Sequence, residues 1–405
     1  MDKFNYSKAQ PTGLLLQDYI SLIGDEAVAR IATKAGAMRG RTVQHINATK
    51  HGGGVAEILH SLIPLFNDVG IAARWDIIQG TPPFYDVTKA MHNFLQGKDG
   101  DFTEEEWKLY EDTNAGNAGV LEDCEVTLIH DPQPLPLVRE RKPGQRWLWR
   151  CHIDLSTTNR AVWSRAQPYV DAYDGAVFSL PAYKQPVTPP IRYVKPAINP
   201  FHPKNVPMAP DQAEAVLDRY NIPHDKPIVT QVSRFDPWKD PVGVVTACNK
   251  ARQQVDFTLV MLGNMADDDP EGKVIFDQVK ELADENTIIS AEGDDADLVN
   301  ALQSYSDIIM QKSIREGFGL TVTEAMWKER PVIGGKVDGI GAQIEDGVNG
   351  FLVSSVDEAA QRVVELIGDQ ALRRRIGGAA RESVRQNFLL SRLLEDHLDW
   401  LASVA

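Results

Sequence analysis

Short apolar runs alternate with longer amphipathic stretches along most of the chain, the pattern of βα units that assemble into parallel sheets. After a helix around Asp25–Thr33, the first strand is expected at Thr42–Ile46. A glycine run, Gly52-Gly53-Gly54, then opens a helix in which Val55, Ile58, Leu59, Leu62 and Phe66 recur on one face. Further strands are expected at Ala72–Ile78, Val126–Ile129, Arg146–Cys151, Gly175–Ser179 and Arg192–Val194. The periodicity then stops in KPAINPFHPKNVPMAP, whose five prolines read as an inter-domain linker.

A second alternation begins at the strand Pro227–Val232 and continues through a helix at Gly243–Lys250, a strand at Phe257–Leu262 and a helix at Lys273–Asp284. Next come a strand at Thr287–Ser290, a helix at Asp295–Gln303, a strand at Asp307–Met310 and a helix at Gly319–Trp327. Strands at Pro331–Ile333 and Gly350–Val353 follow, and three amphipathic helices close the chain at Val356–Gly368, Gln370–Asn387 and Ser391–Ala402. The reading is α/β with two domains, which suits a length of 405 residues, more than one hydrophobic core usually supports.

Composition narrows the function classes. A net charge of −15 argues against a nucleic-acid surface, since phosphate backbones are bound by clustered Lys and Arg. A small anionic ligand stays compatible, because a few local cations override the overall balance. Cys124, Cys151 and Cys248 have neither metal-ligand nor disulfide spacing and fit a reducing compartment. The first residues lack a basic region followed by an apolar run, and no stretch approaches the roughly 20 apolar residues that span a bilayer. A soluble, cytoplasmic protein is expected.

Five segments at strand ends carry candidate chemistry. In Ser313-Ile-Arg-Glu316-Gly317-Phe318-Gly319-Leu320-Thr-Val-Thr-Glu324, a strand ends, a glycine-punctuated turn follows and a helix begins. Backbone N–H groups at Gly319 and Leu320 would face an anionic phosphate there. Glu316 falls in the turn and Glu324 inside the helix; the plain alternative is a loop acid and a solvated Glu. In Gln231-Val-Ser-Arg234-Phe-Asp-Pro-Trp-Lys239-Asp240-Pro241, Asp240 fits an N-cap and Pro241 the first helical position. A guanidinium and an ammonium on that loop suit a diphosphate leaving group, whereas the plain alternative pairs them with Asp236 and Asp240.

Gly52, Gly53 and Gly54 allow close backbone approach to a ligand, or else serve a tight turn. Two strand ends, His130-Asp131-Pro-Gln133 and Cys151-His152-Ile-Asp154, deliver polar groups directly after apolar runs. Asp131 could orient or deprotonate an acceptor hydroxyl, and a neutral His152 could hydrogen-bond a sugar. Asp267-Asp268-Asp269 reads as a charged turn in preference to a metal triplet, and no cluster has transition-metal spacing. The glycine loop also lacks the G-x-G-x-x-G spacing of a nicotinamide dehydrogenase.

Glu316, seven intervening residues and Glu324 resemble the paired-glutamate signature of the retaining glycosyltransferases grouped with sucrose, glycogen and trehalose synthases. The loop with Arg234 and Lys239 is similar to their phosphate-binding segment. HINATKHGGGVAEILHSLIPLF, HDPQP and WRCHID are similar to the trehalose glycosyltransferring synthases, over roughly Arg41 to the final helices. The resemblance implies a GT-B fold, two Rossmann-like doubly wound domains facing a central cleft. It places an acceptor domain over residues 1–195, a donor domain over 206–385, and residues 386–405 back on the first. It implies transfer of glucose from a nucleoside diphosphate glucose such as UDP- or ADP-glucose to free glucose, making trehalose reversibly.

By the same resemblance Arg234 and Lys239 hold the diphosphate, Glu316 contacts the donor glucose and Glu324 the ribose. Gly317, Phe318, Gly319 and Leu320 line the donor, with amides of Gly319 and Leu320 on the phosphate. His152 contacts the donor sugar, Asp131 and Gln133 the acceptor glucose, and Gly53 and Gly54 let their loop close. Base recognition is expected through backbone groups near Gly293 and Lys312. No metal or other cofactor is required; the partners are small molecules and no membrane or nucleic acid, with a homodimer left open. Two rivals remain: a retaining trehalose phosphorylase using glucose 1-phosphate, and a non-catalytic sugar-nucleotide-binding regulator.

Overall fold

The computed structural model describes residues 15–50, 53–263, 270–293 and 295–404. It divides into two compact units, one formed by residues up to Pro196 together with the segment from Leu390, the other by Ala197–Leu389.

The first unit is built on six parallel strands: β1 Thr42–Asn47, β2 Ala72–Ile77, β3 Val126–His130, β4 Arg146–Cys151, β5 Gly175–Phe178 and β6 Ile191–Tyr193. Their order is β2-β1-β3-β4-β5-β6, so the winding reverses between β1 and β3. The second unit has β7 Ile228–Val232, β8 Thr258–Leu262, β9 Thr287–Ser290, β10 Ile308–Gln311, β11 Val332–Gly335 and β12 Phe351–Val353. Their order, β12-β11-β10-β7-β8-β9, reverses between β7 and β10. All neighbouring pairs are parallel. Strands covered on both faces need apolar residues throughout. β3, β8 and β10 accordingly are buried at every position.

All twelve expected strands are present, displaced by a residue or two at their ends. Short helices at Ile20–Ile23 and Asp338–Gly341 add to the sequence reading, as do four of ten residues or more: Pro82–Leu95, Glu104–Gly116, Arg160–Val170 and Pro210–Arg219. The last of these starts on the final proline of the supposed linker, because proline is tolerated in the first helical turn, where its missing N–H would be unbonded in any case. Gln370–Asn387 lies in the second unit, and only the segment from Leu390 joins the first. In the first unit the helix Leu390–Val404 is tied to the helix Asp25–Gly36 by Arg30, which grips Glu395 at 2.8 and 3.0 Å, and by Lys34 to Asp399 at 2.8 Å.

Among the described residues no helix is long and apolar enough to cross a membrane. His51 and Gly52 of the glycine loop, and the Asp267–Asp269 turn, lie outside the described residues.

Candidate functional site

In an open parallel sheet ligands gather at the carboxyl ends of the strands where the winding reverses, because the loops there splay apart. In the second sheet those are the ends of β7 and β10. The loop after β7 carries Arg234 and Lys239, and the loop after β10 carries Glu316. Lys239 Nζ meets Glu316 Oε2 at 2.5 Å, and the two side chains are 20% and 10% exposed. Arg234 is paired with Asp236 at 3.2 Å but is 62% exposed, so its guanidinium is available to a stronger anion.

Each loop is braced from beneath. Asp240 adopts the left-handed conformation, caps the helix Pro241–Ala251 through the Gly243 amide at 3.0 Å, and pairs with Lys312. Gln231 on β7 donates to the Lys239 carbonyl at 3.0 Å. Gln343 donates to the carbonyls of Phe318 and Gly339 at 2.5 and 3.2 Å, holding the Glu316 loop. Close approach matters here too: a Cβ on Gly339 would fall 2.3 Å from the Glu316 carbonyl, and one on Gly335 1.9 Å from that of Ser313.

The helix Leu320–Trp327 opens at Gly319, whose φ of +83° suits glycine. The amides of Gly319 and Leu320 precede any carbonyl that the helix could offer them, so they form a positive helix start beside Glu316. Gly317, Gly319 and Leu320 are partly accessible, whereas the Phe318 side chain is turned inward against Phe388, ring centroids 5.7 Å apart. Phe318 therefore offers its backbone, not its ring.

Glu324 is not a solvated helix acid. It is buried, with Oε1 on Lys204 Nζ at 2.7 Å and Oε2 accepting from Gln303 at 3.0 Å. Burial works to raise its carboxyl, but Lys204, Lys328 and Gln303 together hold it below the usual carboxylate range. Lys328 in turn donates to Gln303 Oε1 at 2.6 Å. Lys204 comes from the proline-rich stretch, where no local pattern advertises a partner.

The first sheet offers the ends of β1, β3 and β4. Gly53 begins the helix after β1 with φ +79°, and Gly54 follows it. Asp131 stands directly after β3 with φ +63°, a conformation that a short polar side chain tolerates better than most. It is pinned to the end of β4 by three bonds. Its amide donates to the Arg150 carbonyl at 2.8 Å, its carbonyl accepts from Trp149 Nε1 at 3.0 Å, and Oδ1 accepts the His152 amide at 2.7 Å. Burial pushes its carboxyl up to about 7, against the His152 amide and the nearby Arg150. Gln133, two residues on, is fixed by Asn114, which donates to its carbonyl at 3.1 Å.

His152 is joined to residues that sequence reasoning did not single out. His130 Nδ1 lies 3.0 Å from His152 Nε2, and His45 Nδ1 lies 3.0 Å from His130 Nε2. Among the described residues no group of three or more His, Cys, Asp or Glu is arranged to hold a metal ion.

Comparison with known proteins identifies the family and the fold. Residues 45–185 match the family described as trehalose synthase, N-terminal domain, and residues 213–383 match glycosyl transferases group 1. The chain is 44% identical over 399 residues to a trehalose synthase of Pyrococcus horikoshii, covering 96% of each chain. It is 26% identical over 431 residues to a trehalose phosphorylase of Pleurotus pulmonarius, covering 91% of this chain and 58% of that protein. A crystal structure of an α,α-trehalose-phosphate synthase (UDP-forming) from Burkholderia xenovorans superposes with a TM-score of 0.71 at 13% identity, covering 90% of this chain and all of the other. The fold is thus that of GT-B glycosyltransferases, and the chain belongs to the trehalose synthase family of glycosyltransferases.

Proposed function

We propose that the protein transfers glucose with retention from a nucleoside diphosphate glucose to free glucose, forming trehalose. The observation that carries this reading is the convergence of Lys239, Glu316, Arg234 and the helix start at Gly319 and Leu320 at the reversal point of the second sheet. Cations and a helix start suit a leaving diphosphate; an adjacent carboxylate suits sugar hydroxyls.

In the proposed reaction the bond from the anomeric carbon to the phosphate oxygen breaks, and its electron pair leaves with the diphosphate. Arg234, Lys239 and the amides of Gly319 and Leu320 stabilise that charge as it develops. An acceptor hydroxyl attacks the same face, and its proton passes to the departing phosphate oxygen. Glu316 orients the donor hydroxyls, so no protein carboxylate becomes glycosylated. Glu324 takes the ribose in this reading; a carboxylate has about four lone-pair sites, and Lys204 and Gln303 use two. His152 holds the donor sugar, and Asp131 and Gln133 the acceptor. UDP and ADP are the nucleotides to test first, and cytoplasmic action belongs to the same reading.

The deciding experiment incubates trehalose with separate nucleoside diphosphates and, in another arm, with inorganic phosphate. Nucleotide glucose released together with free glucose is the expected product. Glucose 1-phosphate formed from phosphate without nucleotide would mean a phosphorylase, and no turnover in either arm a regulator; either result overturns the proposal.

A further inference from the structure

Three imidazoles run in a line beneath the first sheet's carboxyl end. His45 on β1 and His130 on β3 are buried, and His152 just beyond β4 is half-buried. Ring planes differ by 19° between His45 and His130 and by 22° between His130 and His152, with centroids 5.2 and 5.3 Å apart. Nearly parallel planes with nitrogens 3.0 Å apart describe rings meeting edge to edge, each lone pair receiving an N–H in its own plane.

The surroundings keep the line neutral. Burial lowers the His45 imidazole to about 3. Burial also lowers His130, assisted by His45, His152, Arg150 and His397, and lowers His152, assisted by Arg150 and His397. The packing elements contribute Arg150 from β4, Arg392, Asp396 and His397 from the helix Leu390–Val404, and Asp131 after β3. Phe66 of the helix Gly53–Asp68 covers His45 at a centroid distance of 5.7 Å.

A neutral imidazole has one N–H and one lone pair. Three such rings joined by two N–H···N bonds therefore have only two arrangements. In one, His45 and His130 donate from Nδ1, His45 Nε2 keeps a lone pair, and His152 carries its hydrogen on Nδ1. In the other every hydrogen moves to Nε2, and His45 Nε2–H is buried. That nitrogen has no hydrogen-bond partner among the described residues. A buried donor without a partner costs about 1–3 kcal/mol, and orphaned N–H groups are rarer than under-used acceptors.

We propose that His45 and His130 are positioning residues that fix His152 as a neutral imidazole with its hydrogen on Nδ1, presenting a donor to a sugar hydroxyl. The sugar contact rests on the proposed function; the tautomer does not. His152 Nε2 is occupied by His130, so Nδ1 is the nitrogen left for a ligand.

The test is a two-bond 1H–15N spectrum of the full chain labelled with 15N-histidine, without ligand at neutral pH, with signals assigned from single His→Gln variants. Neutral Nδ1–H signals are expected for His45, His130 and His152. An Nε2–H or imidazolium signal for His152 would overturn the assignment. His45→Asn keeps an N–H where Nδ1 was and should leave the His152 signal and turnover unchanged. His45→Asp puts an acceptor where that donor was, so a neutral His130 must donate from Nε2 and accept at Nδ1; the His152 hydrogen should then move to Nε2, with turnover falling about tenfold for one lost neutral hydrogen bond. An unchanged His152 signal in His45→Asp would overturn the positioning role. A protein that transfers no glucose yet shows Nδ1–H at His152 would defeat the proposed function alone.

Discussion

Replacing Asp131 by Asn isolates one charge in a fixed geometry. Asn tolerates the left-handed φ of +63°, and its side-chain oxygen can still accept the His152 amide now held at 2.7 Å. What disappears is the ionisation, which burial displaces from 3.8 to about 7. A group with a raised folded-state pKa favours the fold at pH below its unfolded value and loses that contribution as pH climbs through the folded value. The window therefore runs from about 4 to about 7. A displacement of about three units corresponds to roughly 4 kcal/mol at 1.36 kcal/mol per unit, an upper bound because Asp131 as a residue keeps some exposure to solvent. Urea unfolding of the wild type and Asp131→Asn without substrate, followed by tryptophan fluorescence from pH 4 to 8, measures it. Near equality is expected at the acid end, with the variant gaining by roughly 2–4 kcal/mol above neutrality. A difference constant to within about 1 kcal/mol across that range would refute the buried-carboxyl reasoning.

Glu316→Gln removes the charge facing Lys239 and should lower turnover about 10²–10³-fold while leaving the unfolding midpoint nearly unchanged, read by product formation and urea titration in parallel. Lys204→Ala strips one cation from buried Glu324 and should destabilise the second unit by about 3 kcal/mol, measurable by hydrogen exchange in the helix Leu320–Trp327. Gly335→Ala would drive a methyl into the Ser313 carbonyl, 1.9 Å from the ideal Cβ, and should displace the Glu316 loop. Turnover should fall by at least tenfold, and normal kinetics would show that β11 yields freely.

Strands were legible because a parallel strand covered on both faces must be a nearly unbroken apolar run, as in Thr258–Leu262. The helix Glu104–Gly116 escaped because charged residues dominate its sequence, although Thr103 and Glu106 form the capping box that marks its start. Its buried anchors, Trp107, Tyr110 and Asn114, are too few to set up a stripe. Arg160–Val170 escaped with Pro168 inside it, a residue that ordinarily argues against a helix. The loops bearing Arg234, Lys239 and Glu316 could be read from charge after an apolar run. The partners of Glu324 and His152 could not, since Lys204 is 120 residues from the first and His45 107 from the second by subtraction of their numbers. Only the fold brings such pairs together.

The return of the chain to its first unit has a consequence for biosynthesis. The ribosome releases β1–β6 early, but the surface above His45 and Arg150 also includes the helix Leu390–Val404. Until that helix emerges, Arg30 and Lys34 await Glu395 and Asp399. The second unit is synthesised without interruption and can close before the first does. The strands made first thus await the last segment of the chain, and order of synthesis and order of completion can be reversed.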